Sequence, residues 1–372
     1  MSRLKILFVA NVAKEHIRKF HIPTIIKLRE KGWCVDVACK VDAEIPEADN
    51  VYSMCWERNP FTLKTFRGIR QLKALIAKNE YNIVYCHTPV GGLAARFAAR
   101  GFRKKGLKVV YCAHGLHFFK GAPLINWLLF YPMEKLMAKF TDTFITINNE
   151  DYDRVLRKFN RKMSVKLIDG IGVDFNRLNV TDRLGVRNDY RRKLKLPSDA
   201  IVLIYIAEII QNKNQQMIIK ALEIVHKMGY NVHLLLPGPN HHNGEFVELS
   251  EKLSLDEYVH FLGWRSDVGC LMAASDIYVA SSIREGFGIN LVEAQYCHLP
   301  VVASSNRGHR AIIKNGENGF LVPVNDYQML ADRIVNLITD KTLYDKFTNL
   351  DVSKYSCDKI ATNIHSILTE LL

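Results

Sequence analysis

The chain has 372 residues, 48% hydrophobic and 24% charged, an ordinary globular composition with length for two cores. No apolar run reaches the roughly 18 residues that span a bilayer, and the opening MSRLKILFVA reads as a buried strand rather than a secretion signal, so a cytoplasmic location is expected. A formal net charge of +13 calls for an anionic partner: a phosphate-bearing substrate, an acidic lipid surface or nucleic acid. Nucleic acid is the weakest of these, because the chain shows no helix-turn-helix, ribonucleoprotein aromatic motif or zinc-finger spacing.

In chain order, KILFVA (5–10), CVDVAC (34–39), IVYCH (83–87), VVYCAH (109–114) and TFITIN (143–148) read as short apolar strands. Helical stretches such as HIPTIIKLREKG (21–32) and FRGIRQLKALIAKN (66–79) separate them. Strands apolar on both faces that alternate with helices predict a parallel, doubly wound α/β sheet. Residues 169–190 are polar, lack an apolar period and read as a linker, with a domain boundary between Gly170 and Thr181. A second series follows: IVLIYIAE (201–208), VHLLLPG (232–238), VHFLG (259–263), DIYVAS (276–281), PVVAS (300–304) and GFLVP (319–323). The expected organisation is therefore two Rossmann-like domains facing across a cleft, 1–170 and 171–354, with a C-terminal helix of about 355–372 packing back on the first. Eight cysteines, Cys34, Cys39, Cys55, Cys86, Cys112, Cys270, Cys297 and Cys357, form no C-x-x-C pair, so buried reduced thiols are expected and no metal site is read from them.

In such sheets ligands bind beyond the carboxyl ends of the strands, near helix N-termini. The stretch REGFGINLVEAQ (284–295) sits at one such end, after the strand DIYVAS. Gly286 and Gly288 allow close approach of backbone to a ligand. The amides of Phe287, Gly288, Ile289 and Asn290 open a helix whose dipole favours phosphate or sugar oxygens. Glu293, one turn in, suits a vicinal diol such as a ribose, and Glu285 on the loop suits the hydroxyls of a second ring. Two carboxylates are costly to bury without such partners, so the pattern fits a nucleotide-linked sugar.

The run Glu285 to Ala294 carries E-G-F-G-x-x-x-x-E-A, followed by HLPVVASSNRG (298–308) and GENGFLVPVND (316–326). In these the chain resembles glycosyltransferase family 4, retaining enzymes with a two-Rossmann, B-type (GT-B) fold. The segments KFHIPTIIKLREKGWCVDVAC (19–39) and AHGLHFFKGAPLINWLLFYPMEKLMAKFTDTFITINNEDY (113–152) are similar to a subgroup that builds bacterial capsular polysaccharides and exopolysaccharides. The resemblance implies that Glu293 holds the nucleotide ribose, that Glu285 contacts the donor sugar, and that Lys213 clamps the diphosphate. The arginine usual in that clamp is replaced by Glu208, and Arg265, Arg284 or Arg307 are the candidates to compensate. His114, at the end of VVYCAH, takes the place of a histidine near the donor sugar, with His117 its rival. His87 is a third candidate, and His16 and His21 are candidates to shape the acceptor side. The usual Gly-Gly after the first strand is absent, replaced by ANVAKEHIRKFH (10–21).

The implied reaction moves a sugar from a nucleotide-diphosphate donor, expected to be UDP-linked, to a hydroxyl of a polyprenyl-diphosphate-linked saccharide, with retention by front-face attack. No cofactor or metal is expected, since no D-x-D motif lies in a strand-end loop. Residues 118–140 mix aromatic and leucine side chains with Lys120, Lys135 and Lys139, and read either as a patch for an anionic membrane surface or as a core helix. Competing readings are a sugar-nucleotide epimerase or phosphorylase of the same fold, and a catalytically silent nucleotide-sugar-binding protein.

Overall fold

The computed structural model describes residues 3–57, 59, 62–159, 162–241 and 244–372. The chain divides into two compact units, one formed by the chain up to Gly172 with Lys354–Leu372, the other by Val173–Ser353. The first unit contains β1 (Lys5–Val12), β2 (Cys34–Lys40), β3 (Asn50–Ser53), β4 (Ile83–His87), β5 (Lys108–Ala113), β6 (Thr143–Thr146) and β7 (Ser164–Leu167). They form one parallel sheet in the order β3-β2-β1-β4-β5-β6-β7. The second unit contains β8 (Ile201–Ile204), β9 (Val232–Pro237), β10 (Val259–Gly263), β11 (Ile277–Ala280), β12 (Val301–Ser304) and β13 (Phe320–Val322). Its parallel order is β10-β9-β8-β11-β12-β13.

The central strands are apolar because helices cover both faces of each sheet. In the first unit Ile6 to Ala10 of β1 are fully buried, with Ile6–Val9 in register with Ile83–Cys86 of β4. In the second unit Val202–Ile204 of β8 and Tyr278–Val279 of β11 are fully buried. The edge strands β3 (NVYS) and β7 (SVKL) carry no apolar run, since edges are partly solvated, and sequence patterning misses both. The helix Cys357–Thr369 buries Ile360, Ala361, Ile364, Ile367 and Leu368, one stripe at helical spacing. It lies on the helix Ile22–Glu30, where Lys27 Nζ meets Asp358 Oδ1 at 2.7 Å.

Residues 169–190, expected as linker, are ordered differently. A 3-10 turn, Asn176–Leu178, is followed by a helix, Arg183–Lys193, capped by Asp182, which accepts from Gly185 N. Its apolar period is weak because Arg187 and Arg191 do the anchoring: both reach Asp276, at 2.5 and 2.6 Å. The helix Leu124–Met137 has two unlike faces. Glu134 is buried and accepts a two-pronged pair from fully buried Arg96 at 2.7 and 3.1 Å, with the guanidinium over the Tyr111 ring. Trp127 and Tyr131 lean on buried Phe118. The opposite face leaves Leu124, Ile125, Leu128, Leu129 and Leu136 between 49% and 74% exposed. Among the described residues no helix is long and apolar enough to cross a membrane.

Candidate functional site

Each sheet reverses its winding at one place, between β1 and β4 in the first unit and between β8 and β11 in the second. Loops leaving the carboxyl ends on either side of such a reversal splay apart and leave room for a ligand.

In the second unit three loops converge there. After β8 the chain stays beside β9, with Tyr205 N donating to Leu235 O at 3.0 Å and Ala207 N to Pro237 O at 3.1 Å. It then makes the turn Gln211–Lys213. This turn is stitched to the loop after β11: Ile283 N donates to Asn212 O at 2.8 Å, Asn212 Nδ2 to Arg284 O at 3.1 Å, and Ser281 Oγ to Lys213 O at 2.8 Å. The stitching brings Lys213 Nζ to Glu285 Oε1 at 2.6 Å. The same carboxylate oxygen accepts from Ser282 Oγ at 2.8 Å, and Ser282 Oγ lies 2.7 Å from Tyr205 Oη. From the loop after β12, Asn306 Nδ2 and Ser304 Oγ both donate to Ser282 O, at 2.9 and 2.6 Å. Gly308 lies against Glu285 so closely that a Cβ there would be 2.7 Å from Glu285 Cβ. His309 is fully buried, burial holds its ring down to about 4, and its Nδ1 donates to Ser304 O at 2.7 Å.

Gly286, Phe287 and Gly288 lead into the helix Ile289–Tyr296, which turns Glu293 inward to 4% exposure. Glu293 pairs with Arg177, a partner sequence reasoning missed because it lies 116 residues earlier in the supposed linker. Tyr296 places that turn: its ring stacks on Phe175 at 4.2 Å and its hydroxyl donates to Asn179 Oδ1 at 2.6 Å. Burial pushes the Glu293 carboxyl above its usual range, and Arg177, half exposed and well solvated, offsets only part of that. A buried carboxylate with Arg177 as its cationic neighbour thus stands one turn into the helix that follows Glu285.

The other predicted cations and Glu208 are placed less uniformly. Arg265 is taken by Asp267, at 2.8 and 2.5 Å. Arg284 points into solvent. Arg307 Nε donates to Glu285 O at 3.3 Å, so it belongs to the same loop cluster. Glu208 is exposed and its backbone carbonyl accepts from Gln215 Nε2 at 2.9 Å.

In the first unit the reversal between β1 and β4 gathers histidines. His16 lies in a π-helical turn, Ala13–Arg18, directly after β1, and His21 precedes the helix Ile22–Glu30. His87 ends β4 and His114 follows β5. One ring nitrogen from each of the four lies within 4.8 Å of all the others. His16, His21 and His87 are buried and His114 half-buried. Burial first, then the neighbouring rings, holds His16 down to about 2 and His21 and His87 far below the usual imidazole value; burial holds His114 to about 4. His117 is outside the group: it is exposed, with its ring against Phe130 at 4.7 Å.

Residues 5–148 match the family described as glycosyl transferase 4-like, and residues 186–350 the family of glycosyl transferases group 1. The chain is 41% identical over 333 residues to the putative glycosyltransferase EpsD of Bacillus subtilis, spanning 90% of this chain and 87% of that one. It is 26% identical over 292 residues to the Escherichia coli UDP-Gal:alpha-D-GlcNAc-diphosphoundecaprenol alpha-1,3-galactosyltransferase, spanning 77% and 74%. In fold it is similar to Anabaena Alr3699/HepE, solved with UDP and glucose, at a TM-score of 0.79 and 21% identity over 99% of this chain and 100% of that one. With two Rossmann-like parallel sheets and these relatives, the chain belongs to the GT-B glycosyltransferases.

Proposed function

We propose that the protein is a retaining glycosyltransferase of family 4 that moves a sugar from a UDP-sugar to a hydroxyl of a polyprenyl-diphosphate-linked saccharide in bacterial surface polysaccharide synthesis. The observation that carries this reading is the joining of Lys213 and Glu285 across the sheet reversal of the second unit, beside the helix that bears buried Glu293. The E. coli relative named for a UDP-galactose donor and a diphosphoundecaprenol-linked acceptor, and the UDP held by HepE, support the choice of donor and acceptor.

In this reading the second unit takes the donor and the first the acceptor. Glu293 accepts from the two ribose hydroxyls, whose donors replace part of what Arg177 supplies. The amides of Phe287 to Asn290 take sugar and phosphate oxygens. Lys213, released from Glu285 by the incoming diphosphate, carries the charge that builds on the leaving phosphate. Glu285, now without its cation, accepts from donor-sugar hydroxyls and stays fixed by Ser282. Arg307 is the cation best placed to stand in for the arginine that Glu208 displaces, because it is the one tied to the Glu285 backbone. Cations fixed before the reaction cost no reorganisation as charge develops, so the diphosphate needs no metal. Retention follows when the leaving phosphate oxygen takes the acceptor proton on the face from which the diphosphate departs.

The exposed leucine face of Leu124–Met137, with exposed Lys135 and Lys139 and the nearby Lys104 and Lys105, supports peripheral seating on an anionic inner membrane surface, where a lipid-linked acceptor lies. The test is incubation with labelled UDP-sugars, with and without a polyprenyl-diphosphate-linked saccharide. Labelled lipid-linked product that needs the acceptor supports transfer. Conversion of the sugar nucleotide without acceptor would make the protein an epimerase, and neither outcome a silent binder.

A further inference from the structure

We propose that His16, His21, His87 and His114, all in the first unit, together bind one divalent transition-metal ion of the zinc class. Four side chains from three different strand ends converge, and a nitrogen of each lies within 4.8 Å of the rest. The His16 and His21 Nε2 atoms are 3.2 Å apart. A tetrahedral ion with metal–nitrogen bonds of roughly 2.05 Å sets its ligand atoms about 3.3 Å apart, so this pair already has the spacing of one tetrahedral edge. The His21 and His87 rings are tilted by 31° with centroids 3.8 Å apart, and the His16 and His114 rings by 39° at 4.7 Å.

Two of the four rings lack hydrogen bonds that would explain their burial. Neither ring nitrogen of His87, fully buried, has a partner, and Nε2 of His114 has none. Buried polar atoms are nearly always paired, and a neutral imidazole offers one lone pair that a metal ion can take. Histidines kept only to fill a core would be better replaced by phenylalanine or leucine. The local backbone is also held out of its usual range. Thr88, next to His87, has φ +62° and ψ 154°, a region that L-residues avoid at a cost of about 1–3 kcal/mol. His16 sits in a π-helical turn, a feature concentrated at ligand sites.

Ligand chemistry selects the ion. The set is all nitrogen, which suits zinc, copper or nickel and not magnesium or calcium, which demand oxygen. A saccharide hydroxyl is the weaker occupant, because His21 and His87 are 2% and 0% exposed. The ion would tie the segment after β1 to the ends of β4 and β5.

The experiment uses the full chain, stripped with a chelator and titrated with zinc against a fluorescent indicator, followed by X-ray absorption on the one-equivalent sample. The expected result is one sub-micromolar site per chain with nitrogen ligands at roughly 2.0 Å and imidazole outer-shell scattering. His16→Ala/His114→Ala, at the two less buried positions, should weaken it about a hundredfold or more with unchanged far-ultraviolet dichroism. Absence of stoichiometric binding by the unaltered chain would overturn the proposal. So would sulfur scattering, which would assign the ion to some of the eight free thiols, or undiminished affinity in a folded double variant.

Discussion

Glu293 offers the sharpest separation of binding from folding. It is 4% exposed, its carboxyl is held above its usual range by burial, and its one cationic partner, Arg177, is half solvated. Glu293→Gln keeps the shape and removes a charge that the fold holds at a cost. The sign is therefore set: a carboxyl whose native value is raised destabilises the fold as pH rises past its ordinary range, and the amide is free of that term. Stability of the variant at pH 7.5 should equal or exceed that of the unaltered chain, because Arg177 can turn to water. UDP binding should move the other way. Two ribose hydroxyls donating to a carboxylate are charge-assisted bonds of about 1.5–3 kcal/mol each, and an amide keeps part of this. A net loss of about 3 kcal/mol is expected, which is about a hundredfold in Kd. Calorimetric titration with UDP and thermal unfolding, on both proteins, read the two effects. A UDP Kd within about threefold of the original, in a variant of unchanged Tm, would remove Glu293 from the nucleotide site.

Lys213→Ala should lower kcat by about 10²–10³, the range for removing one preorganised donor to developing charge, with KM for donor changed far less; steady-state transfer kinetics check it. Gly308→Ala places a methyl where Glu285 Cβ stands 2.7 Å away, so a loss of about 1–3 kcal/mol in stability should accompany loss of donor binding, read by denaturant unfolding and UDP titration. His309 is fully buried and held near 4, below its ordinary 6.5; its contribution is present above 6.5 and lost as pH falls toward 4, up to roughly 3 kcal/mol, and His309→Gln should flatten that fall in stability-against-pH curves. Leu128→Ser/Leu129→Ser, on the exposed face of Leu124–Met137, should weaken sedimentation with anionic vesicles while leaving Tm unchanged, whereas Trp127→Ala, whose ring packs on Phe118, should lower Tm.

The fold class was legible because parallel strands buried on both faces leave a continuous apolar run between helices, as in KILFVA and VHLLLPG. Edge strands β3 and β7 were not, since half-solvated strands share their composition with loops. The helix Arg183–Lys193 was hidden for a related reason: two arginines reaching one aspartate, Asp276, anchor it in place of an apolar stripe. At the donor-side loops, Glu285, Gly286, Gly288 and Glu293 stand in one short motif, and a motif can be read from its spacing. Arg177, Ser282 and Asn306 could not, because each meets its partner only through the sheet's topology. The histidines show the same limit. His16, His21, His87 and His114 are each visible as a residue near a strand end, but 98 positions separate the first from the last, and their gathering depends on β1, β4 and β5 being neighbours. The division of Leu124–Met137 into a packed aromatic face and a bare leucine face rests on the buried Arg96–Glu134 pair, which fixes the helix's rotation.

The account turns on a nucleotide sugar held by the second unit at the reversal of its sheet. A crystal structure with UDP-sugar tests this most directly. The account predicts ribose hydroxyls on the Glu293 carboxylate, Lys213 Nζ turned from Glu285 to the diphosphate, and phosphate oxygens on the amides of Phe287 to Asn290. Nucleotide bound elsewhere, with the Lys213–Glu285 and Arg177–Glu293 pairs intact, would contradict it.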